Sequence, residues 1–204
     1  RRRWAERRAR ANTSGVAAKG TPRAFNELRQ LQGGYRIFPS MDTRIGTVGT
    51  VVGVVGASRV GRQLIGLLRQ FAFRVLVFDP TLTAADAERL GVELVELDEL
   101  CARSDIVTLH APALPNTIGM ISDDQLEAMR PGATLINTAR GVLADMDAVR
   151  DHVRSGRITA ILDVTDPEPL PTGDELYVLP NAIVTPHLAG AAGNELQLLG
   201  EAVV

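Results

Sequence analysis

From residue 48 onward the chain alternates short apolar runs with amphipathic helical stretches, and this alternation restricts the available folds more than any other feature. Runs such as VVGVV, RVLVF and IVTLH are rich in Val, Ile and Leu and show no strict polar alternation, so they read as strands buried on both faces. Strands separated by helices are joined by crossovers, which makes the sheet parallel and places helices on both of its sides. Strands are expected at 50–55, 74–78, 106–110, 133–137, 159–164 and 182–185. Helices are expected at 60–71, 84–90, 97–102, 123–129, 145–155 and 194–204. Ser122 before Asp123 and Asp124 reads as an N-cap with acids in the first turn, and Pro131-Gly132 and Gly156 stand where helices should stop.

Ahead of this unit, residues 11–47 are rich in Gly, Ser and Thr and hold one short helical candidate over 22–31. The chain is therefore divided into an irregular lead-in and linker (1–47), an α/β domain (48–190) and the start of a C-terminal helix (191–204). With 204 residues, 45% of them hydrophobic, it can bury a sizeable core, which excludes a disordered tail or a fibrous repeat. No apolar run approaches the roughly 20 residues of a spanning helix, so a soluble, cytoplasmic protein is expected. The single cysteine, Cys101, reads as a small buried hydrophobe. Residues 1–10 hold six Arg and one Glu, which marks a solvated basic end rather than a nucleic-acid surface. No His, Asp and Glu spacing suggests a metal site.

The first strand runs into Gly56-Ala57-Ser58-Arg59-Val60-Gly61, at the strand-to-helix turn where a dinucleotide fingerprint belongs, with Ser58 replacing the middle glycine. Gly56 allows the tight turn, Gly61 lets helix and strand approach, and the amides at the helix start suit a pyrophosphate. The Ser58 hydroxyl is small enough to approach a phosphate. At the end of the second strand stands Asp79, a carboxylate placed to accept from the adenosine ribose hydroxyls and to repel a 2′-phosphate, which favours NAD over NADP.

Four downstream segments, SDIVTLHAPALPNTIGMI (104–121), MRPGATLINTARG (129–141), GRITAILDVTDPEP (156–169) and LPNAIVTPHLAG (179–190), follow in order. Together they resemble the D-isomer-specific 2-hydroxyacid dehydrogenases, from about Thr50 to Gly190. The resemblance implies a Rossmann-type doubly wound parallel sheet in three layers, bound NAD, and hydride transfer between a small 2-keto acid and a D-2-hydroxy acid without a metal. It implies a catalytic Arg140, Glu168 and His187. A His can donate the proton that a reduced carbonyl oxygen needs, a neighbouring carboxylate stabilises an imidazolium, and an Arg fork can hold the substrate carboxylate. These residues follow three strand ends, and ligands of such sheets bind outside the carboxyl ends of the strands.

The same resemblance puts Arg59 and Val60 at the pyrophosphate turn, Ala111 and Pro112 beside the adenosine and ribose, and backbone contacts at Thr138, Ala139 and Arg140. It places Asp163 near the nicotinamide carboxamide and Gly190 over the ring after His187. His110 is read as structural and His152 as a surface residue. The family's substrate domain is largely absent from this chain, whose first residues correspond to a region that helps form the family's homodimer. A shortened gene product, a half-enzyme completed by a partner, and a natural cofactor module remain open, and shortening is favoured. The alternative to catalysis is a non-catalytic NAD(H)-binding regulatory module of the same fold.

Overall fold

A computed structural model describes residues 47–190. The expected helices over 22–31 and 194–204, and the lead-in up to residue 46, lie outside the described residues. The elements run β1 (Val51–Val55), α1 (Arg59–Leu68), β2 (Arg74–Phe78), α2 (Ala84–Leu90), β3 (Glu93–Leu94), α3 (Leu97–Arg103) and β4 (Ile106–Leu109). They continue through α4 (Asp123–Ala128), β5 (Thr134–Asn137), α5 (Met146–Arg154), β6 (Thr159–Leu162) and β7 (Ala182–Val184). Short 3-10 turns at Gly141–Leu143 and Glu175–Tyr177 complete the described part.

All seven strands are parallel, in the order β3-β2-β1-β4-β5-β6-β7. The chain builds outward from β1 to β3, then returns to the other side of β1 to lay down β4. The strand order thus reverses between β1 and β4, where an open α/β sheet has its crevice. This is the doubly wound arrangement expected from the strand pattern.

Every residue of β1 is buried, as a central strand covered on both faces requires. Its side chains alternate between two cores. Val51 and Val55 join Leu100 and Cys101 of α3, Leu126 of α4, and Val149 and Val153 of α5. Val52 and Val54 join Ile65 of α1 and Leu82 and Ala87 on the opposite face. Helices therefore form a layer on each side of the sheet. Burial, with the charge of Asp98, pushes the Cys101 thiol up to about 12, in keeping with an inert core position.

At the expected cap, Gln125 Oε1 accepts from the Ser122 N–H at 3.1 Å and from its hydroxyl at 2.6 Å. Two features differ from the sequence reading. The edge strand β3 was not anticipated, because two residues, Glu93 and Leu94, carry no apolar run, and only pairing with β2 makes them a strand. His152 is not a surface residue: it is 8% exposed, and its Nε2 lies 2.9 Å from Asp123 Oδ1 across the α4–α5 seam. Helix α5 buries the neighbouring Val149 and Val153, and the packing of α4 against α5 covers His152 as well.

Two glycines of α1 should respond oppositely to one added methyl group. A Cβ on Gly61 would sit 2.2 Å from the Gly56 carbonyl oxygen, whereas a Cβ on Gly66 meets nothing within 4 Å. Gly61→Ala is expected to cost about 1–3 kcal/mol by overpacking. Gly66→Ala should add about 0.5–1 kcal/mol by raising helix propensity. Urea denaturation midpoints of the two variants against the parent chain provide the check.

Candidate functional site

The glycine turn is held from three sides. Gly56 has φ 96°, a conformation that side-chain-bearing residues rarely adopt, and its N–H donates to Phe78 O at 2.8 Å. A Cβ there would lie 2.6 Å from Ala111 N, so the turn rests directly on the loop that leaves β4. The Ser58 hydroxyl accepts from Gly61 N at 3.3 Å and caps α1. Its own proton can still be donated outward. The amides opening a helix lack intrahelical acceptors, and with Gly61 satisfied those of Arg59 and Val60 remain for an anion.

Asp79 braces the same turn. Its Oδ2 accepts from Ala57 N at 2.7 Å, and its Oδ1 accepts from Thr81 N at 2.8 Å and Thr81 Oγ1 at 2.7 Å. Partial burial opposes its charge, but hydrogen bonds from Thr81 and Ala57 and the nearby Arg62 cation outweigh that, holding the carboxyl below the usual range. The group is a fixed anion at the mouth of the turn. A tight glycine turn, a helix start and an ionised carboxylate at the second strand end form a donor and acceptor set that fits a dinucleotide.

Ser58, Val60, Ala111, Pro112, Thr138, Ala139 and Arg140 all line one open cleft of about 450 Å3, together with His110 and Ala113. Burial pulls the His110 pKa down, which favours its neutral ring, and Nε2 lies 3.0 Å from Thr108 Oγ1. Across the cleft, the buried Asn137 shapes the turn that presents Arg140. Its Nδ2 donates to Arg140 O at 2.8 Å, and its Oδ1 accepts from Ala139 N at 3.1 Å. The Arg140 guanidinium donates to Ala139 O at 2.6 Å and is exposed.

Glu168 and His187 line a second open cleft of about 730 Å3, walled in part by Leu170, Tyr177 and Val184. Glu168 Oε1 lies 2.6 Å from His187 Nδ1. A carboxylate oxygen accepts, so Nδ1 is the donating nitrogen of this contact. His187 has φ 52°, the only non-glycine positive φ among the described residues, and its N–H is shared by Asp163 O and Thr185 O at 3.0 Å each. A left-handed histidine costs about 1–3 kcal/mol and persists where its surroundings hold it.

Asp163 supplies that hold. It is 4% exposed, and its carboxylate accepts from Thr185 Oγ1, from Leu188 N at 2.8 Å and from Ala189 N at 2.8 Å. Burial opposes the charge, yet the Thr185 hydroxyl, the Ala189 and Leu188 amides and the nearby His187 outweigh it and lower its pKa. The two clefts meet through backbone. A Cβ on Gly141 would sit 2.0 Å from Thr165 O, so the Arg140 turn presses against the loop that leads to Glu168. Asn137, Gly141 and Thr185 were not assigned to the site in the sequence reading, although the first two stand in the NTARG segment itself. Asp79 braces the turn from outside both clefts, and Gly190 is exposed at the last described position.

Because the folded pKa of Asp163 is lowered, its stabilising contribution is present above the ordinary carboxylate pKa and is lost as pH falls through the lower folded value. Asp163→Asn replaces one acceptor oxygen with a donor facing amide donors, at a cost of about 1–3 kcal/mol. Hydrogen exchange at the Leu188 and Ala189 amides should accelerate in this variant at neutral pH, with the β1 amides much less affected.

Residues 18–189 match the family described as D-isomer specific 2-hydroxyacid dehydrogenase, NAD binding domain. The chain is 41% identical over 150 residues to D-3-phosphoglycerate dehydrogenase of Mycobacterium leprae, covering 73% of this chain and 28% of that one. It is 35% identical over 166 residues to glyoxylate reductase of Korarchaeum cryptofilum, covering 81% and 50% respectively. The chain thus spans half or less of the length of these relatives. Among solved structures, the D-isomer specific 2-hydroxyacid dehydrogenase of Xanthobacter autotrophicus Py2 in complex with NADPH and MES superposes with a TM-score of 0.74 at 30% identity. That likeness covers 92% of this chain and 76% of the other. With a match over most of its length, on a sheet whose switch point carries the glycine turn, the chain belongs to the D-isomer specific 2-hydroxyacid dehydrogenase family and carries its NAD-binding domain.

Proposed function

We propose that this chain forms the cofactor-binding and acid–base part of an NAD-dependent oxidoreductase that interconverts a small 2-keto acid and a D-2-hydroxy acid. The observation that carries the reading is the 2.6 Å contact between His187 Nδ1 and Glu168 Oε1, at the carboxyl ends of β6 and β7. When bound, the nicotinamide supplies or accepts the hydride. Reduction leaves negative charge on the former carbonyl oxygen, and His187 Nε2 provides the proton while Glu168 holds the ring through Nδ1. Arg140 holds the substrate carboxylate and draws charge towards the carbonyl. Its turn abuts the Glu168 loop through Gly141, so both can act on one small acid.

The cofactor residues keep the roles given by the resemblance. Gly56, Ser58, Arg59, Val60 and Gly61 form the pyrophosphate turn, and Ala111, Pro112, Thr138 and Ala139 form the walls. Asp163 spends three acceptor positions on the His187 loop, and a carboxylate with about four leaves one for the carboxamide. Gly190 follows the catalytic loop and closes over the ring. The fixed anion at Asp79 favours NAD over NADP, although the Xanthobacter relative was solved with NADPH. The names of the relatives suggest glyoxylate and the keto acid of 3-phosphoglycerate as first substrates. A cytoplasmic homodimer belongs to the same reading. Among the described residues no helix is long and apolar enough to cross a membrane.

The direct assay is NADH oxidation by the full-length gene product with glyoxylate, pyruvate, hydroxypyruvate and phosphohydroxypyruvate. His187→Gln should lower kcat by about 10²–10⁴ while leaving NADH affinity within about twofold. NADH binding without turnover of any of these acids would reject catalysis in favour of a regulatory module. For the cofactor, Asp79→Asn should shift the NADPH-to-NADH affinity ratio upward by about tenfold through loss of repulsion, as read by fluorescence titration.

A further inference from the structure

Asp79 has fewer free acceptor positions than an adenosine ribose has donors. An ionised carboxylate offers about four lone-pair positions. Three are taken by the protein: Oδ1 accepts from Thr81 N at 2.8 Å and from Thr81 Oγ1 at 2.7 Å, and Oδ2 accepts from Ala57 N at 2.7 Å. The position left is on Oδ2. The Oδ1 side is firmly held, since burial raises the Asp79 pKa and the two Thr81 bonds lead the contacts that outweigh it. The ribose presents two adjacent hydroxyls, so Asp79 by itself accepts from one of them and leaves the other without a partner.

Thr81 carries the missing acceptor. An ionised carboxylate only accepts, so the Thr81 hydroxyl must donate to it, and its oxygen keeps both lone pairs. Drawing that proton towards a carboxylate also makes the oxygen a better acceptor, because linked hydrogen bonds polarise one another. Thr81 is exposed just beyond β2, and no other described group bonds to its Oγ1. Thr83, by contrast, is committed to α2: its hydroxyl donates to Asp86 Oδ2 at 2.5 Å and accepts from Asp86 N at 3.1 Å. We propose that Thr81 is a second ribose-recognition residue, with one ribose hydroxyl donating to Asp79 Oδ2 and the other to Thr81 Oγ1. The inference rests on the placing of the adenosine ribose at Asp79. Two neighbouring acceptors match a diol, which has two protons to give. They oppose a 2′-phosphate, which brings acceptor oxygens and negative charge, so Thr81 reinforces the preference for NAD.

The test follows NADH fluorescence on titration with the 204-residue parent chain, Thr81→Val and Thr81→Ser. Val keeps the branched shape without the hydroxyl and should weaken NADH binding by about three- to tenfold, the net worth of one hydrogen bond. Ser keeps the hydroxyl and should bind within about twofold of the parent. Two NADH analogues then locate the contact, one lacking the 2′ and one the 3′ hydroxyl of the adenosine ribose. With at least one of them the Thr81→Val penalty should shrink below about twofold, because the partner of Oγ1 is already gone. A residue that only stiffened the turn would cost the same with NADH and with both analogues, and that result would overturn the inference. Unchanged NADH affinity in Thr81→Val, or equal losses in the Val and Ser variants, would overturn it too. Asp79→Asn separates the role of Thr81 from the ribose placement beneath it. If Asp79→Asn shifts the NADPH-to-NADH affinity ratio while Thr81→Val changes nothing, the role of Thr81 alone fails. If neither substitution has an effect, or the parent chain binds no NADH, the ribose placement fails with it.

Discussion

Strand β1 pairs with β2 along one edge and with β4 along the other, and the glycine turn inherits its place from those two ladders. The pairing turns the chain in opposite directions on the two sides of β1 and opens the crevice where they part. Its cost is a strand with no polar face, met here by VVGVV buried throughout. Close approach then becomes the governing constraint. The carbonyl of Gly56 occupies the space where a Gly61 side chain would begin, and the backbone at Ala111 occupies the space beside Gly56 itself. The first helix, the first turn and the loop after β4 are pressed into one rigid corner, whose shape rests mainly on backbone geometry.

The catalytic candidates depend on a second set of joints, built from polar groups rather than close glycines. Asn137 fixes the turn at Arg140 through two backbone contacts, and Asp163 fixes the turn at His187 through Thr185 and two amides. Both residues stand at or just past the ends of strands on the far side of the switch point. An ionised carboxylate accepting several donors is worth more than a neutral acceptor would be. That gain can hold His187 in a backbone conformation that the residue disfavours on its own.

Much of this was legible from residue order because strand ends and side-chain chemistry coincide. Short Val- and Ile-rich runs locate six strands to within two residues, and seven of the proposed cofactor residues line a single cleft. What escaped depends on tertiary neighbours. Two residues at Glu93 and Leu94 become a strand only because β2 lies alongside them. His152 sits beside apolar positions in its own helix, but nothing in its flanking residues announces that Asp123 of α4 will cover it. Gly141 looks like one more glycine in a loop until the Thr165 carbonyl is seen against it. Asp163 suggested a ligand contact, while most of its acceptor capacity turns inward to the protein.

The two clefts differ in what they can accomplish by themselves. The first offers amides and a helix start, with the fixed anion of Asp79 bracing the same turn from outside the cleft. The second holds a His–Glu pair whose side chains are 48% and 42% exposed, and in open water such a contact contributes little. Proton transfer to a developing alkoxide gains most when water is excluded and the local dielectric falls. Leu170, Tyr177 and Val184 form one apolar wall of this cleft. On the proposed reading the opposite side is closed by the bound reactants or by protein beyond the described residues, which makes dinucleotide affinity the more autonomous property of this domain and proton transfer the more dependent one.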